Sequence, residues 1–331
     1  MTNPWRPSGG PVCCVGETMA ALAPDPPQPL EQADGLRLSV AGAESNVAMY
    51  LADHGVHVSW LSAVGDDALG RRVRAAIAAA GVDVSGVRTD ANRPTGLLVK
   101  DPDSTGTRVH YYRTNSAAAA LGTDLLDAEE LRQASLVHFT GVTPALSPSC
   151  RDLVVQALAV SADQRPYAVS FDVNHRPALW PDGAAARVLR DLADRADITF
   201  VGLDEAQHLW GSDLKAVDVR ELLRHPRILV VKDGAHAATA FSDEGVCTVP
   251  ALSTTVVEPV GAGDAFAAGF LAGLLRGADR KRALRLGHIT AVSALQVTGD
   301  HGRLPDGDRI DELLDLRDED WLTRTFPTHA V

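Results

Sequence analysis

Glu258-Pro259-Val260-Gly261-Ala262-Gly263-Asp264-Ala265-Phe266 decides how this chain is read, because it runs without a break into an apolar stretch that ends at Leu275. Pro259 interrupts regular structure, the two glycines permit backbone angles closed to other residues, and a long helix is predicted to begin within the stretch. The first N–H groups of a helix have no partner inside it, so a helix start offers a cradle for an anion. Asp264 falls in the first turn. An isolated aspartate there is usually a plain cap. Beside a glycine-lined phosphate cradle it also stands where a base must stand to take a proton from an attacking hydroxyl.

Working outward, strands and helices alternate. Strands are predicted at Val12 to Val15, Leu36 to Val40, Ser59 to Val64, Leu136 to Thr140, Ala168 to Val173, Ile198 to Val201 and Ile228 to Val231, with shorter ones near Thr239 to Phe241 and Val246 to Val249. Helices are predicted from Ala41-Gly42-Ala43 to Gly55, from the cap Asp67 to Ala80, and over Arg151 to Ala162, Ala184 to Arg195 and Asp204 to Trp210. Buried strands separated by such helices predict an α/β fold with a doubly wound, mainly parallel sheet. Between Arg93 and Ala117 the rhythm changes to two β-like runs, Gly96 to Lys100 and Thr107 to Arg113, around the turn-rich DPDSTG. With the Leu36 to Val40 strand they would form a small separate sheet. Residues 1–11 read as a disordered lead-in, 12–317 as one domain with outlying segments near 17–40 and 93–117, and 318–331 as a loose acidic tail.

Composition excludes several classes. The 331 residues are 45% hydrophobic and 22% charged, enough for a sizeable core. A net charge of −12 argues against nucleic acid as partner. The longest apolar run, Ala265 to Leu275, is roughly half what a bilayer crossing needs, which argues against a membrane. The opening MTNPWRPSGGPV does not read as a secretory signal. Four cysteines, Cys13, Cys14, Cys150 and Cys247, make neither a disulfide framework nor a metal-binding C-x-x-C, so a cytoplasmic setting is expected. None of the four lysines follows a glycine, which removes the Walker A loop, and Phe266 stands where the third glycine of a dinucleotide fingerprint belongs.

Two distant signatures carry a resemblance. Gly261-Ala262-Gly263-Asp264-Ala265-Phe266 is similar to the C-terminal signature of the ribokinase (PfkB) family of carbohydrate kinases, and Ala41-Gly42-Ala43-Glu44-Ser45-Asn46-Val47-Ala48 to its N-terminal one. The resemblance covers about Cys13 to Leu314 and implies a ribokinase-like fold, ATP with Mg2+, and a small β-sheet lid that closes over a sugar. It implies that Asp264 is the catalytic base and that the amides of Gly261, Ala262 and Gly263 stabilise the transferring phosphoryl group. Lys232-Asp233-Gly234 resembles a turn lining the nucleotide site, and Asn174 would face the nucleotide phosphates.

Tyr111-Tyr112-Arg113-Thr114-Asn115-Ser116 and Phe171-Asp172-Val173-Asn174-His175-Arg176-Pro177 are similar to the versions found in 2-keto-3-deoxygluconate kinases. A sugar acid calls for arginine, whose planar fork matches a carboxylate. The resemblance therefore implies that Tyr111 and Arg113 hold the acid end, that Arg176 serves both sugar and phosphate, and that Gly42, Asn46 and Asp300 line the sugar. The implied reaction is ATP-dependent phosphorylation of 2-dehydro-3-deoxy-D-gluconate at its primary hydroxyl, giving the 6-phosphate. The alternatives are a kinase for fructose, another hexose or a nucleoside, and a non-catalytic sugar-binding relative. The chain departs from the family pattern at Gly202, where Asn precedes the acidic residue that organises water and magnesium; Glu205 keeps that acid. Ala237 replaces a glycine, Val260 a threonine, and Leu98 a lid tyrosine. The carbonyl at Val260 could still serve a monovalent cation such as K+. An open edge of the lid sheet would invite pairing into a homo-oligomer.

Overall fold

The computed structural model describes residues 7, 9–103, 106–160, 165–181 and 183–326. Among the described residues eight strands form the central sheet, in the spatial order Gly245–Pro250, Ala237–Ser242, Ile228–Asp233, Ile198–Gly202, Ala168–Asp172, Leu136–Thr140, Val12–Val15 and Val58–Leu61. Pairing is parallel from Ile228–Asp233 to Val58–Leu61, and only the two strands at the opposite edge run antiparallel. Strands such as Leu136–Thr140 and Ile198–Gly202 are buried along their whole length, as befits a sheet covered on both faces. Alternation divides the core in two. Val12 and Cys14 pack into one cluster with Trp60, Phe200 and Phe270, while Cys13 and Val15 enter the other with Phe139, Phe171 and Leu189. This is the doubly wound architecture expected.

The helix Ala262–Leu275 is apolar nearly all round and correspondingly buried, against the helices Ala43–Asp53 and Arg280–Leu295. Gly269 lets the second of these approach closely: a Cβ there would stand 2.5 Å from the Leu286 carbonyl oxygen.

The lid is a four-stranded sheet, ordered Leu36–Ala41, Met19–Pro24, Leu97–Asp103, Gly106–Tyr112, with its own small apolar cluster of Met19, Ala21, Ala41 and Leu98. Its second strand, Met19–Pro24, was not expected, because the alanine-rich run MAALAP carries weak β-propensity; six paired positions with Leu36–Ala41 supply what propensity does not. The single strand expected over Ser59 to Val64 is two. Val58–Leu61 joins the central sheet, whereas Ala63–Gly65 pairs with Arg88–Asp90, where the Arg88 amide donates to the Ser62 carbonyl.

The termini correct two expectations. Residues 1–6 and 8 of the lead-in lie outside the described residues, but the Pro11 carbonyl accepts from the Ser135 amide at 2.8 Å. The segment from 318 is no loose tail as far as it is described. Asp318–Thr323 is a helix and Thr325–Phe326 pairs with Ser253–Thr254; residues 327–331 are outside the description. The acidic run hides an apolar anchor: Trp321 is buried, donates its indole N–H to the Pro250 carbonyl at 2.9 Å, and lies under the Arg285 guanidinium.

Candidate active site

Gly261 caps the helix Ala262–Leu275 in the left-handed region, at φ 82°, and a Cβ there would stand 2.8 Å from the Asp300 carbonyl oxygen. Two constraints thus require glycine: the backbone angle and the close approach of the loop carrying Asp300. The Ala262 amide turns back to the Pro259 carbonyl at 3.4 Å, and Asp264 follows in the first turn with only 7% exposure.

Asp264 is held from two sides. Asn46 Nδ2, from the helix Ala43–Asp53, donates to Oδ2 at 2.9 Å, and Asn174 Nδ2, just past the strand Ala168–Asp172, donates to Oδ1 at 3.1 Å. Burial is the main cause that lifts its pKa to about 7, and the negative charge of Asp172 adds to it; the Asn46 hydrogen bond, Arg176 and Lys232 pull the other way. A carboxyl that titrates near neutrality can take up a proton and release it again. Asn174 has φ 36°, a left-handed backbone that few side chains adopt. The amide oxygens of Asn46 and Asn174 are buried without a hydrogen-bond partner, two acceptors beside Asp264 that a hydroxyl could satisfy.

On the cradle side, Lys232, next to last in the strand Ile228–Asp233, donates to Asp172 Oδ2 at 2.7 Å. Burial works against its charge, but Asp172 and Glu205 outweigh burial and hold its pKa above the ordinary lysine value. A Cβ on Gly263 would stand 3.3 Å from Lys232 Nζ, so glycine leaves open the space between ammonium and cradle. Glu205 accepts from the amides of His175 at 2.8 Å and Gly202 at 2.9 Å, and burial, then Asp172, raises its pKa. Among the described residues no group of three or more His, Cys, Asp or Glu could cage a metal ion. The donor set instead suits an ion carried in on phosphate oxygens that keeps most of its waters, as magnesium does.

Opposite Lys232, among the residues expected to line a sugar, Gly42 precedes the helix Ala43–Asp53 at a point where a Cβ would meet the Glu17 carbonyl oxygen at 2.5 Å. Asp300 is buried, 3.4 Å from Asn46 Nδ2 and 3.5 Å from Lys100 Nζ. Arg113 departs from its expectation. Its guanidinium is not free but meets the buried carboxylate of Glu17, with Nε donating at 2.6 Å, while Ser116 Oγ donates to the other oxygen at 2.5 Å. Glu17 lies between the strands Val12–Val15 and Met19–Pro24 and Arg113 directly follows Gly106–Tyr112, so this pair joins two of the segments that link the small sheet to the central one. Tyr111, under the Arg113 guanidinium at 5.7 Å, is 43% exposed. Arg176 is exposed and donates to the His175 carbonyl at 3.3 Å, and Gly234 lies in an exposed turn where a Cβ would meet nothing within 4 Å.

Asn46, Asn174, Asp264, Lys232 and Asp300 are therefore brought together beside Gly261 and Gly263, whereas Tyr111, Arg176 and Gly234 are exposed. Sequence reading overlooked Asp172, Glu17, Lys100 and Glu258. Asp172 and Glu17 had a signal, since each adjoins a quoted motif or a strand end. Glu258 opens the quoted glycine-rich stretch and Lys100 ends a predicted β-run, but nothing local pairs the two.

The sequence pattern of the pfkB family carbohydrate kinases matches residues 11–306. A 2-dehydro-3-deoxygluconokinase of Bacillus subtilis (strain 168) is 36% identical over 90% of this chain and 94% of its own length. One of Thermoproteus tenax is 36% identical over 91% and 93%. The crystal structure of a PfkB protein from Polaromonas sp. JS666 superimposes with a TM-score of 0.79 at 35% identity, covering 88% of this chain and 97% of that one.

Proposed function

The chain belongs to the pfkB family of carbohydrate kinases, and from that premise we propose that it phosphorylates 2-dehydro-3-deoxy-D-gluconate with ATP, on the primary hydroxyl, to give the 6-phosphate. The observation that carries the reaction type is Asp264: a buried carboxyl with a pKa near 7, gripped by two amides, in the first turn of a glycine-capped helix. The substrate rests on two relatives of that name at 36% identity over nearly the whole chain.

The sugar hydroxyl oxygen bonds to the γ-phosphorus, the bond from that phosphorus to the departing ADP oxygen breaks, and Asp264 receives the hydroxyl proton. The amides of Gly261, Ala262 and Gly263 and the Lys232 ammonium neutralise charge on the moving phosphoryl group. Asn174 faces the phosphates, Gly234 lines the nucleotide, and Arg176, exposed at the rim, swings to sugar and phosphate. Gly42 and the side chains of Asn46 and Asp300 take sugar hydroxyls, while Tyr111 and Arg113 meet the acid end. Glu205 would hold a magnesium ion through water, and the ion would supply positive charge against the phosphates. The Val260 carbonyl would serve a monovalent cation such as K+. The lid's outer strands pair with those of another copy to make a homo-oligomer, and the enzyme works in the cytoplasm. No helix among the described residues is long and apolar enough to cross a membrane.

One observation favours a second reading. Glu17 already matches the charge of Arg113, which suits a neutral hexose or a nucleoside better than an acid. ADP release with ATP and magnesium, compared for 2-keto-3-deoxygluconate, fructose, ribose and adenosine at equal concentrations, separates the two. Selective turnover of the acid supports the first reading; turnover of a neutral sugar alone replaces it with the second.

A further inference from the structure

Lys100 lies on the lid strand Leu97–Asp103 two residues beyond Leu98, so both side chains leave the same face of the lid, and both are buried, at 7% and 5% exposure. The ammonium does not stay within the lid. Nζ donates to Glu258 Oε1 at 2.7 Å and lies 3.5 Å from Asp300 Oδ1. Both acids belong to the body. The amides of Val257 and Glu258 donate to the Leu295 carbonyl at 2.7 and 3.4 Å, at the end of the helix Arg280–Leu295. Asp300 follows that helix and packs its backbone against Gly261. One lid side chain therefore grips the two loops that meet at the start of the phosphate cradle.

An ion pair is a poor choice for merely gluing a lid shut, since burying the charges costs more than burying apolar groups unless every partner is in place. That same demand makes it a good register device: the ammonium is well paired only when the lid is down and both loops hold their positions. Asp300 is shared between Lys100 and Asn46, and Asn46 in turn donates to Asp264, so the grip reaches the reacting centre through two side chains. We infer that Lys100 is a positioning residue that latches the lid onto the Glu258 and Asp300 loops and so couples lid closure to the geometry around Asp264. Its catalytic consequences rest on the kinase reading above; the latch itself does not.

Without the ammonium, Glu258 and Asp300 face each other as like charges, the lid lifts, and water reaches the γ-phosphate. Water oxygen then bonds to the phosphorus as the bond to ADP breaks, leaving ADP, inorganic phosphate and a proton.

Lys100→Met, Glu258→Gln and Lys100→Arg are compared with the wild type. Backbone hydrogen exchange of the protein without substrate is expected to speed up about tenfold in residues 19–24, 36–41 and 97–112 of Lys100→Met, with the helix Ala262–Leu275 unchanged and Lys100→Arg close to wild type. With whichever sugar turns over best, the KM for sugar should rise about tenfold while kcat stays within about threefold, and ADP should exceed sugar phosphate. Glu258→Gln attacks the pair from the body and should loosen the same lid segments. Unchanged lid exchange in both Lys100→Met and Glu258→Gln overturns the latch. So does acceleration spread evenly over the whole chain, which is loss of stability alone. A wild type inert toward every sugar would refute the kinase reading and leave the exchange experiment to judge the latch.

Discussion

Asn46 Nδ2 lies 2.9 Å from Asp264 Oδ2, joining the helix that leaves the lid to the first turn of the cradle helix. The bond favours the ionised carboxylate against burial, which favours the neutral acid. Replacing Asn46 by Ala removes one of two amide donors. The acid limb of kcat/KM should then move to higher pH, and activity at pH 7 should fall by about tenfold. A pH profile of wild type and variant checks it; coincident limbs would separate Asn46 from the titration of Asp264.

Asp264→Asn should lower kcat by about 10² to 10⁴ while sugar and ATP affinities stay within about tenfold. A stability effect accompanies it. The folded pKa, near 7, lies above the ordinary aspartate value of 3.8, so between those values the folded state binds more protons than the unfolded one. Stability from this group is present at low pH and is lost as pH rises through that window. Asn carries no such penalty. Its melting temperature relative to wild type should climb from pH 4 to pH 7 and level off above, with a gain of up to about 4 kcal/mol. Either neighbouring carboxamide can turn its orphan oxygen toward the new NH2 group.

Gly261→Ala and Gly263→Ala should differ sharply. At 261 a Cβ meets the Asp300 backbone at 2.8 Å with φ at 82°, and backbone cannot give way; a loss of about 1 to 3 kcal/mol and a displaced Asp300 are expected. At 263 the Cβ meets only the movable end of Lys232, at 3.3 Å. That variant should melt like the wild type and bind ATP more weakly. Denaturation midpoints and ATP titration read the two effects separately.

Arg113→Ala leaves the carboxylate of Glu17 buried without its cation, which costs about 3 to 5 kcal/mol of stability and would blur any effect on substrate. The double variant Glu17→Gln with Arg113→Gln removes both charges and keeps a hydrogen-bonding side chain at each position. It should fold nearly as well as wild type and lose at least about thirtyfold in kcat/KM for the sugar acid, with little change for fructose. Equal losses for both sugars would remove Arg113 from carboxylate recognition.

Much of this was legible in the sequence because the relevant groups sit at fixed offsets from glycines and strand ends. Asp264 is read from the cradle it shares with Gly261 and Gly263, and the central strands from buried runs such as Ile198 to Val201. What escaped depends on partners distant in sequence. Lys100 meets Glu258 and Asp300 only once the lid has folded over, and neither acid carries a local pattern that names a lysine. The strand Met19–Pro24 exists because Leu36–Ala41 and Leu97–Asp103 flank it, whatever its own propensity. Arg113 stands out in the sequence as a cation beside a strand end, yet its pairing with Glu17 depends on two segments far apart in the chain coming together.

The most direct measurement is the identity of the product. Wild-type protein with ATP, magnesium and 2-keto-3-deoxygluconate is followed by phosphorus NMR until ADP stops accumulating. One phosphate ester per ADP, its phosphorus coupled to the two C6 protons, is the predicted result. Inorganic phosphate alone, or an ester at any other carbon, would contradict transfer from the cradle to a primary hydroxyl activated by Asp264.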